Sequence, residues 1–166
     1  LRTPTGQTRV AGKRKDPAWY PTKEARAEDP SLPRVVKAGP DNPLGEYALD
    51  LGWPLYLIHG TNNVWGIGRR VSRGCIRMYP KDIEALFQAA NPGLPVTVVD
   101  QPIKFTWMAG ALWMEAHTTQ AQALQLETEG RFDPDPDLQI ERRVGHALHG
   151  KLVPLGWKLI EETVAV

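Results

Sequence analysis

The sequence predicts a mainly β fold with short α-helices and a helical C-terminal segment. Short apolar runs, Tyr47-Ala48-Leu49, Leu55-Tyr56-Leu57-Ile58 and residues 95–99, are bounded by Gly, Pro and Asn, the pattern of buried strands. Two further runs, Phe105-Thr106-Trp107 and Ala111-Leu112-Trp113-Met114-Glu115, flank a turn at Ala109-Gly110 and read as a hairpin. From Thr118 onward the chain turns helix-prone, with no internal repeat.

Residues 1–43 are rich in Pro and charge. Trp19-Tyr20-Pro21 and residues 29–33 read as extended segments and turns, with a short helix over 22–28 between them. The basic cluster at residues 9–15 reads as a solvated loop, and residues 39–43 as a tight loop. His59 falls at the end of the strand that begins at Leu55, where the chain turns through Gly60. A helix is expected over 82–90, with Pro80 near its start and Asn91-Pro92-Gly93 as its stop. Further helices are expected over 118–129, 137–148 and 155–164.

The chain's 166 residues suffice for one domain with a real core. Twenty basic against 19 acidic residues argue against nucleic acid as the main partner. No apolar run reaches the roughly eighteen residues of a membrane span. The single cysteine, Cys75, excludes an internal disulfide.

That cysteine carries the chemistry. Gly74 precedes it, and His59 lies sixteen positions upstream in His59-Gly60-Thr61-Asn62. A thiol needs a base to become a nucleophile at neutral pH, and histidine is the usual one. Backbone N–H groups around Gly74-Cys75 suit the oxyanion of a tetrahedral intermediate. A lone cysteine is more often a small buried apolar residue, and the surrounding motif decides between the two readings. Gly45-Glu46-Tyr47-Ala48-Leu49, Tyr56-Leu57-Ile58-His59-Gly60-Thr61-Asn62, Gly66-Ile67-Gly68 and Val71-Ser72-Arg73-Gly74-Cys75-Ile76-Arg77-Met78 follow one another. Together they resemble the L,D-transpeptidase family, or YkuD domain, in which HGT or HGN is followed after a spacer by S-x-G-C.

The resemblance implies a mixed, β-sandwich-like catalytic fold over residues 1–117, its first strands lying upstream of residue 1. Residues 118–166 would form a helical appendix packed on it. Cys75 is implied as the nucleophile, His59 as its base and the Gly60 carbonyl as the group that orients the imidazole. Ser72 would shape the turn, and Arg73, Gly74 and Cys75 would offer the oxyanion-hole N–H groups. Arg77 lies two positions from Cys75, so on an extended segment it faces the same side and suits a substrate carboxylate. A salt bridge within the domain is the alternative for Arg77. Tyr56, Thr61, Asn62 and Trp65 complete the expected substrate surroundings. Arg73 stands where many members carry histidine, and Arg77 where some carry asparagine.

The implied substrate is a peptidoglycan stem tetrapeptide, which acylates Cys75 as D-alanine leaves. Diaminopimelate of a second stem, as acceptor, gives a 3–3 cross-link. A lysine of a wall-anchored lipoprotein or outer-membrane protein gives a protein linked to the wall. Water makes the enzyme a carboxypeptidase, and an amidase detaching wall-linked proteins would use the same residues. A non-catalytic wall-binding module is the reading outside enzymes. Carbapenem-type inhibitors are implied as acylating agents of Cys75, and the periplasm or cell envelope as the place of action. No cofactor and no metal are expected. Asp133-Pro134-Asp135-Pro136-Asp137 lacks the sixth-position Gly and twelfth-position Glu of a calcium loop. His146 and His149 lack a third zinc ligand, and His117 reads as structural.

Overall fold

A computed structural model describes residues 3–68, 74–135, 138–151 and 153–164, with side chains through residue 160. It divides into two compact units, Leu1–Val99 and Asp100–Val166. The first is a five-stranded mixed sheet with two helices. The second is a hairpin followed by three helices. The fold is thus mainly β with short helices in its first part and helical toward its end. Among the described residues no helix is long and apolar enough to cross a membrane.

The sheet of the first unit runs in the order β4-β3-β2-β1-β5. Its strands are β1 (Gly6–Lys15), β2 (Tyr47–Leu51), β3 (Leu57–His59), β4 (Ile76–Arg77) and β5 (Pro95–Val98). All neighbours are antiparallel except β3 and β4, which pair in parallel. β2 is central and buried on both faces, with Tyr47, Ala48, Leu49 and Leu51 all inside. Val10, Tyr47, Leu49, Ile83 and Ala90 form the core, flanked by Ile58, Phe87 and Val96. Each fully buried aliphatic side chain contributes about 1.5–3 kcal/mol. Helix α2 (Pro80–Ala89) presents Ile83 to this core. It starts at the proline itself, two residues before the expected position, because Pro fits the first helical turn.

The basic cluster at residues 9–15 is not a loop. It is β1, the strand that joins β2 to β5. Its cations are accommodated by the pleat, which sends alternate side chains to opposite faces. Lys13 Nζ lies 4.4 Å from the Phe87 ring centre and Lys15 Nζ 5.9 Å from that of Tyr47. Arg14, on the other face, forks onto Asp50 of β2 through Nε (3.1 Å) and Nη2 (2.7 Å). The charges concealed an otherwise ordinary strand.

The loop between β1 and β2 carries the short helix α1 (Lys23–Glu28), capped by Thr22. It is fastened by Asn42, which is fully buried. Asn42 Nδ2 donates to Pro17 O (2.7 Å), Lys37 O (3.1 Å) and Val36 O (3.3 Å), and Oδ1 accepts from Leu44 N (2.9 Å). One side chain thus engages four backbone groups, with buried bonds to Pro17 O and Leu44 N.

In the second unit β6 (Ile103–Met108) and β7 (Ala111–Ala116) form the expected hairpin. Ala109 (φ 50°) and Gly110 (φ 79°) make its turn, as the primed turns of tight hairpins require. Helices α3 (Gln120–Glu129), α4 (Ile140–Leu148) and α5 (Trp157–Val164) follow. α3 opens with a Thr119–Gln122 capping box and closes on Gly130. Trp107 Nε1 donates to Ala147 O (2.9 Å), and Lys151 Nζ lies 4.1 Å from the Trp107 ring centre. These contacts tie the hairpin to α4. The break between the two compact units falls after Val99, ahead of the hairpin.

Replacing the Asn42 amide by a carboxylate removes the Nδ2 donor and sets a negative charge against three carbonyls. Asn42→Asp is therefore expected to cost roughly 2–4 kcal/mol of unfolding free energy. Urea denaturation at pH 7 measures it, and a loss below 1 kcal/mol would contradict the role given to this side chain.

Candidate active site

The parallel pairing of β3 with β4 builds the site. Ile58 registers with Ile76 and His59 with Arg77. Side chains alternate along each strand, so Leu57, His59, Cys75 and Arg77 share one face. All four line a single cleft of about 500 Å³. Its walls come from Trp19 and Tyr20 in the first loop, Leu44, the Arg14–Asp50 pair, and Trp53, Leu55 and Tyr56 between β2 and β3. Trp53 and Tyr56 meet edge to face at 6.3 Å.

His59 is 4% exposed. Its Nδ1 lies 2.5 Å from the carbonyl oxygen of Gly60. A carbonyl only accepts, so Nδ1 carries the proton and Nε2 is left with a free lone pair. Burial pushes the imidazole down to about 4, against the carbonyls of Gly60 and Leu44, which favour the protonated ring; the Arg77 guanidinium adds to the lowering. At neutral pH the ring is an uncharged base.

The backbone around His59 is held from both sides. Gly60 N donates to Tyr47 O (3.0 Å) and Met78 N to His59 O (2.9 Å). Gly45, at φ 67°, lies against the turn so closely that a Cβ there would come 2.8 Å from Thr61 N. Only glycine permits this approach. Leu44, fixed by Asn42, brings its carbonyl to the imidazole.

Cys75 follows Gly74, whose φ of 93° again favours glycine. Its Sγ donates to Leu55 O at 3.5 Å. Burial raises the thiol above its ordinary value, offset by the Leu57 backbone and by Arg77. The resting pair is therefore neutral thiol and neutral imidazole. Arg77 brings a permanent charge. Its Nε is buried without a hydrogen-bond partner among the described residues.

Other expected site residues lie elsewhere. Thr61 and Asn62 line a separate cavity of about 390 Å³, with Asp16, Glu46 and Lys81. Thr61 Oγ1 is engaged with the backbone of Asn63. Trp65 sits in a 3-10 turn, 82% exposed, and does not line the cleft. Ser72 and Arg73 lie outside the described residues. No group of three or more His, Cys, Asp or Glu among the described residues is placed to hold a metal ion. Sequence reading missed Trp19, Trp53, Leu44, Leu55 and the Arg14–Asp50 pair. Leu55 is the most unusual, a 69% exposed leucine at φ 72°.

Two outcomes follow from this geometry. The folded imidazole holds its proton less tightly than the unfolded one, so stability present above pH 6.5 drains away as pH falls toward 4. The loss is on the order of 3 kcal/mol. Urea midpoints at pH 7 and pH 4.5 should fall further apart in the native protein than in His59→Gln. At Leu55, a β-branched side chain tolerates the left-handed region worse than leucine. Leu55→Val should cost about 1–2 kcal/mol, whereas Leu55→Gly should leave the melting temperature unchanged or raised.

Residues 1–98 match the model of the L,D-transpeptidase catalytic domain, YkuD. Among curated proteins, the probable L,D-transpeptidase ErfK/SrfK of Escherichia coli K12 is 48% identical over 115 residues, 66% of this chain and 37% of that protein. The probable L,D-transpeptidase YbiS of the same strain is 47% identical over 124 residues, 69% of this chain and 40% of that protein. The probable L,D-transpeptidase YcfS is 41% identical over 143 residues, 82% and 42% respectively. The chain thus spans about two fifths of the length of these relatives. With its histidine ending β3 and its cysteine directly before the parallel neighbour β4 in the matched region, this chain belongs to the YkuD family of L,D-transpeptidase catalytic domains.

Proposed function

We propose that the chain is the catalytic part of an L,D-transpeptidase acting on peptidoglycan stem tetrapeptides in the cell envelope. The observation that carries this reading is the meeting of Cys75, His59 and Arg77 in one cleft, with His59 Nδ1 committed to the Gly60 carbonyl. Nε2 takes the thiol proton as Sγ attacks the carbonyl of the third stem residue. The oxyanion is received by backbone N–H groups of Gly74 and Cys75, joined by that of Arg73 from the sequence motif. The tetrahedral intermediate collapses, the peptide C–N bond breaks, and D-alanine leaves with the proton from His59. A thioester remains on Cys75. An amine then attacks it, His59 receives the amine proton, and Sγ departs and recovers a proton.

Arg77 serves this scheme by pairing with a carboxylate of the stem peptide, and the Trp53–Tyr56 wall by covering its apolar parts. Stem-peptide amine, protein lysine and water are three acceptors for one thioester. A carbapenem acylates the same sulfur.

Incubation of the purified protein with disaccharide-tetrapeptide, followed by mass spectrometry, tests the reading. A cross-linked dimer lacking one D-alanine is expected, and Cys75→Ala should abolish it. Arg77→Gln should raise KM roughly 10- to 100-fold with a smaller effect on kcat, the loss of one charge-assisted pair. Release of D-alanine without dimer would point to water or a protein lysine as acceptor. No Cys75-dependent product, from stem peptide or from wall-linked protein, would refute the proposal.

A further inference from the structure

The second unit is acidic overall. From Asp100 to Val166 it carries ten Asp and Glu against six Lys and Arg. Its charges are nevertheless segregated. An open groove of about 740 Å³ lies between β6 and α4, lined by Lys104, Arg142, Arg143, His146 and His149, with no carboxylate in its lining. Three of the unit's six permanent cations thus converge on one surface, with both histidines of α4 and its cap beside them.

The arginines are positioned rather than neutralised. Arg142 Nη1 donates to Gln139 Oε1 (3.0 Å) and Arg143 Nε to Leu138 O (2.7 Å). Among the described residues neither has a carboxylate partner; Lys104 has one, Glu115, at 3.2 Å. Both bonds use neutral acceptors, so they hold the side chains without compensating their charge. Arg142, His146 and His149 recur at helical spacing along one face of α4. They span about 10 Å, the length of about three residues of extended peptide.

We propose that this groove binds an acidic polypeptide segment. Its carboxylates would meet Arg142, Arg143 and Lys104, and an apolar residue between them would rest on Phe105. The remaining lining favours a peptide over a phosphate polymer. Gln101 and Gln139 each offer a donor and an acceptor. A peptide group uses both, whereas a phosphate uses donors only. The inference is independent of the reaction at Cys75, because it is read by binding alone.

The test is fluorescence anisotropy of the whole protein with a fluorescein-labelled peptide of alternating Glu and Leu. Saturable binding at low salt is expected, weakened about tenfold or more by the double change Arg142→Gln, Arg143→Gln, and weakened as salt shortens the screening length. Circular dichroism checks the fold of that variant. Glu115→Gln frees Lys104 from its partner and should tighten binding severalfold, which decides the matter if the double variant misfolds. Absence of saturable peptide binding would overturn the proposal. So would an affinity indifferent to both substitutions, or tighter binding of polyphosphate or of phosphatidylglycerol vesicles than of the peptide.

Discussion

The cleft depends on a hydrogen bond between sequence neighbours, from His59 Nδ1 to the Gly60 carbonyl. For a residue to bond the carbonyl of the next one, the chain must turn sharply as it leaves the strand. That turn exists because Gly45 lets its backbone approach the segment after Gly60 more closely than a Cβ allows. The loop carrying Gly45 is in turn pinned by Asn42. A line of support therefore runs from one buried amide, through the Leu44 backbone, to the imidazole. Its output is a single tautomer, with the free lone pair on Nε2. A histidine free to rotate would divide its time between two tautomers, and one of them has no lone pair at that nitrogen.

Much of this was legible in the chain. His59, Gly74, Cys75 and Arg77 lie in a contiguous motif, and the two-residue period of a strand alone puts Cys75 and Arg77 on one face. The helices over 22–28, 82–90 and 118–129 were legible to within two residues, the second through Pro80. What stayed hidden was non-local. β1 reads as a charged loop because Lys13, Arg14 and Lys15 are consecutive, and their partners Phe87, Asp50 and Tyr47 are distant in sequence. Nothing near Asn42 indicates that three carbonyls will converge on it. Thr61 and Asn62 share a motif with His59, yet the turn at Gly60 sends them to another cavity. The hairpin's allegiance to the later helices rests on Trp107 reaching a carbonyl forty residues on.

The electrostatics of the cleft are economical. Two titratable groups are kept neutral by burial, and one permanent cation stands beside both. Arg77 assists the thiol toward thiolate and resists protonation of the imidazole. Those tendencies oppose one another in the first proton transfer, and burial opposes that transfer as well. A bound substrate carboxylate against Arg77 would cancel much of its field. In the proposed reaction, arrival of substrate thereby eases the imidazole toward accepting its proton.

The low affinity of His59 for protons has a second face. An imidazole that is a reluctant base becomes, once protonated, a vigorous acid. The proton taken from the thiol is held only loosely and is readily surrendered to a departing amine, which must be protonated to leave. The buried ring beside a guanidinium is thus suited less to holding charge than to relaying it. In the proposed sequence it spends little time as a cation between the breaking of the S–H bond and the release of D-alanine.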